Sequence, residues 1–141
     1  MYQKKGSPLL DCLPKKIFLT RGKGVSKERL TSFELALREA GIASLNLITV
    51  SSILPPKCEF ISQEQGTELL SPGQVVPVVL ARSDSNKFGD LVSSGVGVAI
   101  PKDNDHYGYL SEHHCTGMDR YAMEEYVEDL AAEMLATTYG V

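Results

Sequence analysis

Apolar positions in this chain switch between a strand-like and a helical spacing, and the switches mark its elements. Lys16-Ile-Phe-Leu-Thr20 is a short apolar run that suits a strand. Arg21-Gly-Lys-Gly-Val25 breaks it as a loop, and Ser26 then offers an N-cap for a helix over residues 27–40. Within that span Leu30, Phe33, Ala36, Leu37 and Ala40 share one face, with Glu34 at the edge of the stripe. Gly41 supplies a left-handed stop. Ser44 to Val50 reads as a second strand, and its Leu45, Leu47, Ile48 and Val50 put apolar groups on both faces. That pattern predicts a place buried inside a sheet.

Pro55-Pro56 ends regular structure, because neither proline donates a backbone hydrogen bond. Gln63 to Gly73 reads as mostly loop. Val75 to Ala81 has strand character, with Pro77 directing it toward an edge or a bulge. A polar link, Arg82 to Lys87, leads to a glycine-containing strand over Val92 to Ile100. Tyr107 to His113 predicts a further strand, with Gly108 as a point of close approach. The last element is a helix over residues 119–137, carrying Met123, Tyr126, Val127, Leu130, Ala131 and Met134 on one stripe. This order predicts an α/β sandwich with helices outside the sheet. Residues 1–15, with Pro8 and Pro14, read as a loose N-terminal arm, and 16–141 as one domain.

Composition narrows the classes. A chain of 141 residues holds one modest core, and 43% hydrophobic with 23% charged residues is ordinarily globular. A net charge of -4 argues against nucleic acid, which needs a basic face. Lys4, Lys5, Lys15 and Lys16 give the N-terminal residues a basic bias that reads as a solvated tail. Cys12, Cys58 and Cys115 are odd in number and widely spaced, so no disulfide framework or CxxC motif is available. The sequence has neither an apolar leader nor a run approaching roughly 18 apolar residues, which predicts a soluble, cytoplasmic protein.

Ser51-Ser52, at the end of the second strand and before Ile-Leu-Pro-Pro, admits two readings. One is a strand cap followed by a turn. The other is self-cleavage. A serine hydroxyl attacks the carbonyl carbon of the preceding residue and turns the peptide into an ester. Beta-elimination breaks the ester, and the dehydroalanine left behind hydrolyses to a pyruvoyl group and ammonia. That chemistry requires a serine after the scissile bond and a donor for the oxyanion.

The surrounding segments weigh toward the second reading. Phe18-Leu-Thr-Arg-Gly22, Leu30-Thr-Ser-Phe-Glu-Leu-Ala-Leu37, Ala40-Gly-Ile42, Asn46-Leu47 and Val50-Ser-Ser-Ile-Leu-Pro-Pro56 follow in order. Ala99-Ile-Pro-Lys-Asp103 and Gly108-Tyr-Leu-Ser-Glu112 continue the series. Over residues 16–137 the chain resembles the pyruvoyl-dependent arginine decarboxylase family. The resemblance implies a four-layer αββα sandwich, cleavage between Ser51 and Ser52, and a covalent pyruvoyl group derived from Ser52. It implies no pyridoxal phosphate and no metal. It further implies a homotrimer of cleaved protomers, with active sites between subunits and arginine as the substrate.

Site residues carry over position by position. Asn46 matches the residue that supports self-processing. It lies six positions from Ser52, about 20 Å along an extended strand. It therefore serves its own scissile bond only if the chain bends after Val50, and otherwise serves a neighbouring subunit. Its alternative role is a ladder residue bonding a nearby loop. Glu112 matches the donor that returns a proton to the substrate α-carbon. Beside Leu110 and facing a cavity, its carboxyl would be raised in pKa by desolvation; its alternative is a surface strand glutamate. Glu34 matches a position where the family usually has aspartate, a carboxylate fork for the guanidinium. The extra methylene bears on substrate length, and the alternative is a helix-edge charge reaching to water.

The pyruvoyl ketone takes the substrate α-amine, and the adjacent amide carbonyl is the electron sink, which replaces a pyridoxal-binding lysine. His113-His114-Cys115 resembles a metal cluster only on paper, since neighbouring strand residues point to opposite faces. Arg21-Gly-Lys-Gly24 lacks the spacing of a phosphate loop. Two rival functions remain: a pyruvoyl decarboxylase for another basic amino acid, and a non-catalytic binding protein of the same fold. The resemblance also predicts a C-terminal truncation, because the family continues past the last helix with a further strand-bearing segment. An alternative is that the N-terminal arm covers the edge that segment would occupy.

Overall fold

The computed structural model describes residues 12–141. Most of the predicted arm, including Lys4, Lys5 and Pro8, lies outside them. The described chain is a mixed α/β domain of seven strands and three helices. Its best-packed part is a three-stranded antiparallel sheet of β3 (Ile53–Leu54), β7 (Gly108–Thr116) and β6 (Val92–Ala99), in the order β3-β7-β6. Helix α3 (Arg120–Tyr139) covers one face of that sheet.

The sequence pattern explains this unit well. Asp119 caps α3 by accepting from the Ala122 N–H, and Gly140 ends it at φ 71°. Met123, Val127 and Ala131 from the predicted stripe are buried against the sheet, while Tyr126 stays half exposed beside His113. The contact is close because Gly97 has no side chain. A Cβ there would lie 2.0 Å from the Val127 carbonyl oxygen. Ser111 Oγ, fully buried on β7, donates to the same carbonyl and accepts from the Gly97 N–H. Gly108 is likewise a point of close approach, since a Cβ would meet the Ala99 carbonyl oxygen at 2.2 Å.

The N-terminal half forms two smaller parallel pairs. β1 (Lys16–Ile17) pairs with β4 (Glu59–Phe60), and β2 (Asn46–Thr49) with β5 (Val75–Val78). Pro77 sits opposite Ile48 on the β5 edge, as a residue without an N–H must. Between β1 and β2 in the chain comes α1 (Arg29–Glu39), whose stop at Gly41 has φ 79°. The Ala40 carbonyl at its end accepts from Thr20 Oγ1 and Gln63 Nε2, both at 2.7 Å.

Four expectations need correction. The cap of α1 is Glu28, not Ser26; the Ser26 hydroxyl instead accepts the Glu28 N–H, so the helix begins at Arg29. Leu30, placed on the apolar stripe, is 80% exposed, because the loop at Gly22 and Gly24 packs over Ser32, Leu35 and Ala36 instead. The second strand is not enclosed: Ile48 and Val50 are exposed, since among the described residues β2 has only β5 as a ladder partner. Residues 63–73 are not mostly loop. Helix α2 (Gln63–Glu68) forms there under a reciprocal cap between Ser62 and Gln65.

Candidate active site

Ser51 and Ser52 fall in the bend between β2 and β3, with Ser51 exposed and Ser52 half-buried. β3 forms because Ile53 and Leu54 pair with Tyr109 and Gly108 of β7, and Leu54 enters the core. The ladder extends one residue toward the bend. The Leu110 N–H donates to the Ser52 carbonyl oxygen at 2.7 Å, which sets Ser52 opposite Leu110. Glu112 follows two residues later on β7, on the face that Leu110 shares by strand alternation. Residues two apart across such a ladder lie roughly 7–8 Å from each other. Residue 52 and Glu112 are thus brought together by one strand, although 60 positions separate them in the chain.

Glu112 pairs across β6 with Val96 and lines a cleft of about 380 Å³ with Leu80, Ala81, Arg82, His113 and His114. Its side chain is exposed in the single chain. Ser111, its neighbour, points to the other face and is tied to α3. His113 also turns toward α3, with its ring 4.5 Å from that of Tyr126. Among the described residues, no group of three or more His, Cys, Asp or Glu side chains could hold a metal ion.

Asn46 stands at the far end of β2 from Ser52. Its Nδ2 donates to the Gly73 carbonyl at 2.8 Å, which braces the turn before β5. Glu34 lies on α1, partly exposed, where it accepts from Arg38 Nε one turn later at 3.2 Å. The structure of the single chain therefore assembles residue 52 with Glu112 and leaves Asn46 bonded to its own loop.

Sequence reasoning passed over the link after β5. Arg82 lies 3.9 Å above the Phe33 ring of α1 and donates to Asp84. Asp84 also accepts two hydrogen bonds from Arg29, at 2.8 and 3.1 Å. The Arg29 hydrogen bonds, with help from both guanidinium charges, hold the Asp84 carboxyl below its ordinary range. Ser83 Oγ reaches the Cys115 carbonyl of β7 at 3.4 Å. These contacts join the helix bearing Glu34 to the strand bearing Glu112. No local motif marks them, because the partners come from three separate segments. Burial pushes the Cys58 thiol up from its usual pKa. None of the described helices is long and apolar enough to cross a membrane.

The family model for pyruvoyl-dependent arginine decarboxylase matches residues 16–141. A Chlorobium limicola protein named as a probable pyruvoyl-dependent arginine decarboxylase is 58% identical over 129 residues. The match covers 92% of this chain and 71% of that protein. Pyruvoyl-dependent arginine decarboxylase 2 of Methanosarcina acetivorans is 54% identical, with 92% and 70% covered. The pyruvoyl-dependent arginine decarboxylase of Methanococcoides burtonii is 51% identical, with 92% and 72% covered.

Proposed function

The chain belongs to the pyruvoyl-dependent arginine decarboxylase family, and we propose on that premise that it converts L-arginine to agmatine and carbon dioxide. We further propose that the pyruvoyl group arises from Ser52 by cleavage between Ser51 and Ser52. The observation that carries this reading is the shared ladder, in which the Leu110 N–H fixes the Ser52 carbonyl at 2.7 Å and Glu112 follows on the same strand. A serine in a bend, with its own carbonyl held by a rigid sheet, suits the precursor role.

The pyruvoyl group supplies an electrophilic ketone and an electron sink next to it. Glu112 delivers the proton that the α-carbon takes up after carbon dioxide leaves. Glu34 pairs with the guanidinium, a planar cation that a carboxylate fork matches, and exchanges its Arg38 contact for the substrate. Asn46 supports processing. Its place at the opposite end of β2 favours action on the scissile bond of a neighbouring subunit. Apolar Ile48, Val50, Ile53 and Val75 are exposed around β2, β3 and β5, a surface suited to burial in the proposed trimer of αββα protomers.

Carbon dioxide release from labelled arginine, ornithine and lysine tests the function, together with intact mass. Fragments of residues 1–51 and 52–141, with arginine the preferred substrate, are expected. A chain that stays full length after long native incubation overturns self-cleavage. Preference for ornithine or lysine reassigns the substrate.

A further inference from the structure

We propose that the backbone N–H of Leu110 is a catalytic hydrogen-bond donor, stabilising the negative charge that develops on the carbonyl oxygen of residue 52 during decarboxylation. The inference rests on the reading that Ser52 becomes the pyruvoyl group, and adds a residue and a role to it.

The carbonyl of residue 52 lies on the C-terminal side of the proposed cut, so cleavage leaves it attached to β3. Ile53 and Leu54 hold that strand to Tyr109 and Gly108. The bond from the Leu110 N–H, at 2.7 Å, is at the short end of the range for N–H···O bonds. Leu110 is 4% exposed, so this donor works away from water, where a hydrogen bond to a charged oxygen is strengthened. β7 is the central strand, paired with β6 over eight residues from Thr116 to Tyr109 and backed by α3. The donor therefore cannot swing away and needs no reorganisation as charge appears, the condition for oxyanion stabilisation.

Charge must appear on that oxygen. When the bond between the α-carbon and the carboxylate breaks, its electron pair moves through the conjugated system onto the residue 52 carbonyl oxygen, and carbon dioxide departs. The pair returns to the α-carbon as the proton of the Glu112 carboxyl bonds there. The water released when the substrate amine condensed with the residue 52 ketone is taken up again as agmatine is freed, and Glu112 regains a proton from solvent. Arginine plus one proton thus gives agmatine plus carbon dioxide. β7 serves both ends of this transfer, with its N–H at position 110 and its carboxyl at position 112.

The test replaces Leu110 with its α-hydroxy analogue, which turns the Tyr109–Leu110 amide into an ester, removing the N–H and weakening the Tyr109 carbonyl as an acceptor. The α-hydroxy analogue at Ala99 is the control, since Ala99 pairs with Tyr109 in the same sheet without touching residue 52. Both proteins are processed first, as checked by mass, and then assayed in single turnovers. Loss of one such donor costs about 10²–10³-fold in kcat, expected for the position 110 ester and not for the position 99 ester. Equal losses, or none, reduce the Leu110 bond to an ordinary ladder bond and overturn the proposal. A second readout needs no variant. In processed, isotope-labelled protein, nuclear magnetic resonance should show coupling across the hydrogen bond between the Leu110 nitrogen and the residue 52 carbonyl carbon. Absence of that coupling overturns the proposal even if neither ester folds. A wild-type chain that forms no pyruvoyl carbon signal instead overturns the Ser52 reading itself, and the inference with it.

Discussion

Gly97→Ala probes the packing that holds β7, the strand bearing Glu112. The added Cβ would sit 2.0 Å from the Val127 carbonyl oxygen, 2.4 Å from its carbon and 2.6 Å from Ser111 Oγ. Two of these atoms are helix backbone, which cannot turn aside as a side-chain tip can. Relief requires α3 to move off the sheet, loosening the contacts of Met123, Val127 and Ala131 and the Ser111–Val127 hydrogen bond. Overpacking costs about 1–3 kcal/mol, and the weakened buried hydrogen bond adds about 1 kcal/mol. The sum is about 2–4 kcal/mol, before any strand-propensity gain from replacing glycine. For a domain of this size that is a fall in Tm of roughly 6–16 °C. Gly95→Ala is the matched control, because its Cβ would meet the flexible Met123 Cγ at 3.0 Å and Val127 Cγ2 at 3.4 Å. Its cost should be within about 1 kcal/mol of zero, since a methionine yields readily. Thermal melts of the three proteins by circular dichroism decide the matter. Equal Tm values for Gly97→Ala and wild type would refute the backbone-contact argument, and equal losses for both variants would refute the distinction between rigid and flexible neighbours.

Other expectations concern the site. Ser52→Ala should remain a single chain by intact mass where wild type yields two fragments. Glu112→Gln should process normally yet lose roughly 10²-fold or more in turnover; near-normal turnover in a fully processed variant would remove Glu112 from the chemistry. Glu34→Gln should weaken apparent arginine binding by about 1.5–3 kcal/mol, visible as a lower specificity constant, and an unchanged constant would mean that Glu34 faces only water and Arg38. Asp84 is held below its ordinary carboxylate range, so its stabilising effect is present above the unfolded-state pKa. That effect is lost as pH falls through the folded-state value. The Tm difference between wild type and Asp84→Asn should therefore shrink on acidification below the usual carboxylate range, and a pH-independent difference would exclude titration of Asp84 as its source.

The sequence by itself determined what depends on neighbours along the chain. The apolar period placed Met123, Val127 and Ala131 on the buried face of α3, and Gly41 and Gly140 ended their helices with positive φ. The run of segments around Val50-Ser-Ser-Ile-Leu-Pro-Pro56 carried the family resemblance and with it the chemistry. Helix α2 has a local signal too, the Ser62-x-x-Gln65 spacing of its reciprocal cap, although Gln63 to Gly73 reads as mostly loop. Tertiary structure alone decided the pairing of β3 with β7, and so the bond from Leu110 to residue 52 and the nearness of Glu112. It alone set Arg29, Arg82 and Asp84 together, and turned the Asn46 amide to Gly73. The physical reason is that periodicity reports which side of an element is apolar, whereas a hydrogen bond across a sheet depends on strand order and register. Those follow from how separate segments fill one core and share one ladder, and a shift of a single residue would turn Glu112 to the opposite face.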